Sequence, residues 1–167
     1  GGTFTEVFAN SCNSVFAPLS EQVGPEAMTE VSERFGFNRP PQVWDPEGLA
    51  VVNPPVPTIP QADEYESDLG VSGIGQGRVQ ASAMSMATVL SSVVAGKAVL
   101  PSLVPSVEVE QKQPAQPLTG VEARQLRTML GAVVERGSGR GLQGVADLAK
   151  TGTAEFGTAG ETHAWMV

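Results

Sequence analysis

The stretch "LTGVEARQLRTMLGAVVERGSG", residues 118 to 139, constrains this chain more than any other segment. Thr119 and Glu122 stand at capping-box spacing, and Val121, Leu126, Met129, Leu130, Val133 and Val134 form one apolar stripe. Gly137 and Gly139 then stop the helix. Two strands are predicted to follow, at about 145 to 155 and 163 to 167, around a glycine-rich turn. A one-sided helix feeding strands has to bury its stripe within one shared core. At 167 residues and 41% hydrophobic content the chain can build such a core as a single domain.

Upstream, "TFTEVFANSCNSVFA" (3 to 17) places Phe4, Val7, Phe8, Val15 and Phe16 at helical spacing, but Asn10-Ser11-Cys12-Asn13 interrupts them. Two helical pieces meeting at a polar junction are expected. "GPEAMTEVSERFGF" (24 to 37) predicts a helix with Pro25 at its first position, Ala27, Val31 and Phe35 on one face, and Gly36 as a stop. From 38 to 76 the chain is rich in Pro, Asp and Gly, which predicts a long irregular excursion. Gly73, Gly75 and Gly77 then give a tight path into a Met-, Val- and Leu-rich helix that runs towards residue 97. "VPSVEVEQK" (104 to 112) alternates with period two and reads as a half-exposed strand. The stripe at 84 to 94 and the aromatics Phe4, Phe8, Phe16 and Trp165 are assigned to the core.

Several classes of function are disfavoured. A net charge of −8, with ten scattered Lys and Arg, does not suit a nucleic-acid groove. One cysteine rules out an internal disulfide, and with a single histidine it leaves no metal-ligand set of the multi-Cys kind. No metal or cofactor is expected. "MATVLSSVVAGKAVL" (86 to 100) falls short of the ~20 apolar residues of a membrane span.

Two stretches invite a nucleotide reading. "GRGLQG" (139 to 144) fits G-x-G-x-x-G but follows a helix and leads into a strand, the reverse of the dinucleotide context. "GVADLAKT" (144 to 151) is one residue from a P-loop, with Ala149 in place of the second glycine and Asp147 inside the would-be phosphate cradle. A degenerate P-loop domain is the alternative of another class.

Lys150-Thr151-Gly152-Thr153 reads more simply as a strand that sets the hydroxyls of Thr151 and Thr153 on one face, with a bare glycine between them, beside a cation. A ligand carboxylate would use all three groups. An ordinary solvated edge strand would use none of them.

Ser11-x-Asn13 between two helices, far upstream of Lys-Thr-Gly, resembles the second and third motifs of the penicillin-binding transpeptidases and serine β-lactamases. "FANSCNSVFA", "GIGQGRVQASAMSMATVL", "VVERGSGRGLQGVADLAKTGTAE" and "HAWMV" fall in that family's order along essentially the whole chain. The resemblance implies an α/β (α+β) fold, a mostly antiparallel sheet flanked by helices plus a helical lobe, with the site between them.

It also implies roles. Ser11 would pass protons between the general base and the leaving amine, and Asn13 would hydrogen-bond the acyl donor's amide. Lys150 would lend positive potential and orient Ser11. Thr151 and Thr153 would hold the carboxylate beside Gly152, and the Thr153 N–H would form half of an oxyanion hole.

No serine in the chain is followed three residues later by lysine, so the S-x-x-K that carries the family's nucleophile does not occur here. With Gly at position 1, the expectation is a partial domain, residues 1 to 167, lacking the S-x-x-K part before it and a strand and helix after it. As it stands the chain is expected to be inactive. Cys12, the middle residue of the serine motif, is read as a small packing residue.

The resemblance implies a D-alanyl-D-alanine transpeptidase that cross-links peptidoglycan on the outer face of the cytoplasmic membrane, tethered by an N-terminal helix. Its partners would be stem peptides ending in D-Ala-D-Ala, β-lactams, and cell-division or elongation proteins. A serine β-lactamase or β-lactam sensor is the alternative on the same fold. The loop at 38 to 76 is placed beside the cleft.

Overall fold

The computed structural model describes residues 2–40, 43–44, 50–52, 54–99, 101, 118–157 and 160–167. The helices are α1 (Phe4–Ala9), α2 (Asn13–Val23), α3 (Pro25–Arg34), α4 (Leu69–Gly73), α5 (Ala83–Ala95) and α6 (Gly120–Arg136). Strands β1 (Val43–Trp44) and β2 (Ala50–Val52) pair antiparallel, as do β3 (Thr151–Phe156) and β4 (Glu161–Met166). The strand expected at 104 to 112 lies outside the described residues.

Helix α6 forms as its local signals dictate. Thr119 Oγ1 accepts from the Glu122 N–H at 3.2 Å, and Glu122 Oε2 accepts from the Thr119 N–H at 2.7 Å. Arg34 Nη2 reaches both Glu122 oxygens at 3.0 Å and ties α3 to this cap. Together these contacts hold the Glu122 carboxyl at a pKa of about 2, with the cap bonds from Thr119 the larger cause.

The buried face of α6 is Ala123, Leu130, Ala132, Val133 and Val134, and Val133 centres a cluster with Val134 and Ala149, onto which Phe8 and Leu142 pack. Val121, expected in the stripe, is 54% exposed. It is the second residue of the helix, and the buried face begins only at Ala123.

At its C-terminal end α6 crosses the end of α1. A Cβ on Gly137 would stand 2.2 Å from the Ala9 carbonyl oxygen, so only glycine permits this approach. The chain then turns through Arg140–Leu142, and Gly144 adopts φ +80°. That left-handed residue keeps the segment after 144 from extending, so β3 starts at Thr151 rather than near 145, and Val145 is 82% exposed. β4 starts at Glu161, two residues earlier than expected.

Within the 38 to 76 excursion, the described residues 54–76 are tied to the rest of the fold where composition predicts an irregular run. The Asn38 N–H donates to the Pro57 carbonyl at 2.8 Å, Asn38 Oδ1 accepts from the Ile59 N–H at 3.0 Å, and Thr29 Oγ1 donates to the Pro60 carbonyl at 3.1 Å. Helix α4 docks on α2, where Glu21 Oε1 accepts the Gly70 N–H at 2.8 Å and a Cβ on Gly73 would stand 1.7 Å from Ser20 Oγ. Five residues have no helical stability of their own, so α4 exists by this docking.

The assignment of α5 and the aromatics to the core holds only in part. Ser85, Ser92 and Val93 are buried, but Val94 is 58% exposed and Phe4 is 51% exposed. Phe4 and Phe8 meet Phe16 edge-on at 5.6 and 6.2 Å, forming a partly open aromatic cluster under the α1–α2 junction.

Candidate active site

Two elements 139 residues apart meet at one hydrogen bond: Lys150 Nζ donates to Ser11 Oγ at 2.9 Å. Ser11 reaches this position because its backbone is left-handed, φ +53°, an uncommon conformation for a residue with a side chain. The turn is held by the Ser11 N–H on the Phe8 carbonyl at 3.0 Å and the Cys12 N–H on the Val7 carbonyl at 3.2 Å. Cys12 is the N-cap of α2, with no side-chain bond to the helix, and its carbonyl accepts from Val15 and Phe16. Asn13 is the exposed first residue of α2.

Lys150 is half-buried, 5.6 Å above the centre of the Phe8 ring, and also donates to the Thr151 carbonyl at 2.6 Å. Burial lowers its pKa below the ordinary lysine value. No carboxylate pairs with it among the described residues. An ammonium drawn partly out of water without a counter-charge is suited to an anionic ligand, whose arrival would restore the lost solvation.

Strand β3 presents its outer edge to this cation. Lys150 and Val167 exchange both main-chain hydrogen bonds, at 2.8 and 3.1 Å, and the register continues Thr151 to Met166, Gly152 to Trp165 and Thr153 to Ala164. Antiparallel pairs alternate between bonded and non-bonded, so the main-chain groups of Thr151 and Thr153 point away from β4. Two contacts agree: the Thr151 carbonyl takes the Lys150 bond, and the Thr153 carbonyl takes Gln76 Nε2 at 3.1 Å. The Thr153 N–H therefore lies along the same outer edge.

Thr151 Oγ1 is hydrogen-bonded to Ser138 Oγ. Ser138 in turn donates its N–H to the Ala9 carbonyl at 3.0 Å, with its Oγ 3.3 Å from the same oxygen. Ser138 thus bridges the end of α1, just before Ser11, and the start of β3.

The expected site residues divide accordingly. Contacts join Ser11, Lys150 and Thr151, and Gly152 and Thr153 continue β3 beside them, while Asn13 stands two residues along from Ser11. Sequence reasoning does not single out Ser138 or Gln76. Ser138 lies between the glycines that end α6, and Gln76 between Gly75 and Gly77, so both stretches read as backbone geometry alone.

The nucleotide readings fail on the elements downstream of each motif. Thr151 opens a strand where a P-loop needs a helix, and Gly139 to Gly144 lead through a short 3₁₀ turn and open no helix. Among the described residues no His, Cys, Asp and Glu cluster is arranged to hold a metal, and no helix is long and apolar enough to cross a membrane.

Comparison with known proteins matches residues 1–167 to the penicillin binding protein transpeptidase domain. Peptidoglycan D,D-transpeptidase PbpA of Mycobacterium tuberculosis is 28% identical over 178 residues, covering 97% of this chain and 34% of that protein. The chain therefore spans about a third of that relative's length. Among solved structures, a ceftriaxone acyl-enzyme complex of penicillin-binding protein A from M. tuberculosis superposes with TM-score 0.80, at 24% identity, over 98% of this chain and 38% of that one. A complex of penicillin-binding protein PBP2 with MreC from Helicobacter pylori gives TM-score 0.79 at 18% identity, over 99% of this chain and 33% of that one.

Proposed function

Because the chain belongs to the penicillin-binding protein transpeptidase domain family, we propose that it forms the donor-orienting part of a peptidoglycan D-alanyl-D-alanine transpeptidase site. The carrying observation is the 2.9 Å bond from Lys150 Nζ to Ser11 Oγ, which joins the two motif segments across the fold.

In this reading the terminal carboxylate of a stem peptide, or the carboxylate of a β-lactam, sits against the hydroxyls of Thr151 and Thr153 in the field of Lys150. The Thr153 N–H donates to the oxygen that becomes negative as the donor carbonyl is attacked, and Asn13 holds the donor's amide. Ser11, oriented by Lys150, carries the proton from the general base to the departing D-alanine nitrogen, then accepts one from the incoming amine. Gly152 keeps the strand face clear of side-chain bulk between the two threonines. No cofactor takes part.

The acylated serine and its lysine belong to an S-x-x-K segment outside these residues, so residues 1 to 167 are part of a transpeptidase domain that a preceding segment and a following strand and helix complete. The complete protein works at the outer face of the cytoplasmic membrane, tethered by an N-terminal helix. The solved pairing of the H. pylori protein with MreC supports a cell-division or elongation protein as a partner for it.

Intact-mass measurement after incubation with penicillin tests this reading. The 167-residue chain alone is expected to gain no mass. A chain extended to include S-x-x-K is expected to gain one acyl group, lost on mutation of that serine. Acylation of the 167-residue chain alone, or none of the extended one, would overturn the assignment.

A further inference from the structure

We propose that Ser138 is a positioning residue that sets the direction of the Thr151 hydroxyl proton and thereby selects for ligands bearing a carboxylate. This rests on the reading of Thr151 as a carboxylate-holding residue and adds a group that reading does not contain.

Counting protons decides which groups can donate. Thr151 Oγ1 carries one proton, and its inward partner is Ser138 Oγ. A hydroxyl can hold a carboxylate only by donating to it, since its lone pairs repel the anion. If Ser138 donates to the Ala9 carbonyl, it must accept from Thr151, whose proton is then turned inward. If Ser138 instead donates to Thr151, the Thr151 proton is free to point at the ligand.

The local geometry permits the second arrangement without leaving an orphaned group. The Ala9 carbonyl already accepts the Ser138 N–H at 3.0 Å, and the hydroxyl contact to it is the longer one at 3.3 Å. Ser138 Oγ–H can turn from Ala9 to Thr151 while Ala9 keeps its bond. The pivot is fixed, because the Gly137 backbone is pressed against the same carbonyl too tightly for any Cβ. An anion therefore recruits a two-hydroxyl relay, Ser138 to Thr151 to carboxylate, whereas a neutral ester or amide at that position accepts the outward proton only in a weaker, uncharged hydrogen bond.

The test uses the complete protein with its S-x-x-K segment and compares second-order acylation rates with a penicillin and with its methyl ester. Ser138→Ala is expected to slow acylation by the free acid about tenfold or more, as loss of one charge-assisted hydrogen bond does, and to leave the ester within about threefold of its own wild-type rate. Ser138→Thr should restore the acid rate. Ser138→Cys, which keeps the side-chain connectivity but donates weakly, should behave like Ser138→Ala and stands in for it if that variant folds poorly. Equal losses with acid and ester would reduce Ser138 to scaffolding and overturn the proposal, as would no loss with either. A wild-type protein that neither ligand acylates would instead overturn the transpeptidase reading beneath it.

Discussion

Gly137 lies against the carbonyl of Ala9 so closely that a Cβ would meet the oxygen at 2.2 Å and its carbon at 2.8 Å. This contact sets how the end of α6 crosses the end of α1, and so how Ser11 sits relative to Lys150. Both obstructing atoms are backbone and cannot rotate away. Gly137→Ala is expected to destabilise the complete protein by about 1–3 kcal/mol, the usual cost of overpacking. A lowered urea midpoint at constant slope checks this. Acylation per folded molecule should fall as well, because the crossing carries the site.

Lys150 gives opposite pH dependences to stability and to ligand capture. Burial lowers its folded-state pKa below 10.5, so between the two values the unfolded state binds more protons. Its contribution to stability therefore rises with pH across that window. Capture of a carboxylate needs the ammonium and falls as pH climbs through the folded value. Acylation by penicillin is expected to show an alkaline limb that Lys150→Arg removes, since guanidinium stays charged. The same limb in Lys150→Arg would assign it to another group.

Glu122 is predicted to govern part of the acid response. Its folded pKa of about 2 lies below the ordinary 4.5, so its contribution is complete above 4.5 and is lost as pH falls from there towards 2. The side chain is 39% exposed, so screening limits the effect. Glu122→Gln should cost about 1 kcal/mol at neutral pH, because the amide keeps a capping-box oxygen but loses the ion pair with Arg34. It should also flatten the stability profile between pH 4.5 and 2. Thermal melts across that range measure both.

Cys12 occupies an N-cap position without capping. Cys12→Ser is expected to stabilise α2 by about 0.5–1 kcal/mol, since a serine oxygen there can accept an orphan N–H. Cys12→Ala should change acylation by less than about threefold, the measure of a residue that packs and does not react. A large rate loss in Cys12→Ala with an unchanged melting temperature would give the thiol a chemical role.

The features legible in the sequence are mostly local. The α6 cap, the Gly36 stop and the break at Asn10 to Asn13 depend on residues a few positions apart, and each appears as expected. The start of β3 falls later than the pattern predicts because Gly144 turns the chain at φ +80° and the N–H groups of Val145 and Ala146 bond back to the Leu142 carbonyl. Helix α4 is invisible in the sequence because docking on Glu21 and Ser20, and no intrinsic preference of "LGVSG", holds it. The meeting of Ser11 with Lys150 carries no short-range signal and is expected only from the order of motifs. Ser138 and Gln76 act through oxygens of residues remote in the chain, a relation that glycine-flanked polar residues do not announce.

The measurement that tests the central claim most directly is a double-mutant cycle on Ser11 and Lys150 in the complete protein, read as the rate of acylation by a fluorescent penicillin. Ser11→Ala and Lys150→Ala should each slow acylation by about 10²–10⁴-fold, and the double variant should be no slower than the slower single, because the two groups act as one unit. Losses that multiply would show that the Lys150–Ser11 bond is incidental to the chemistry.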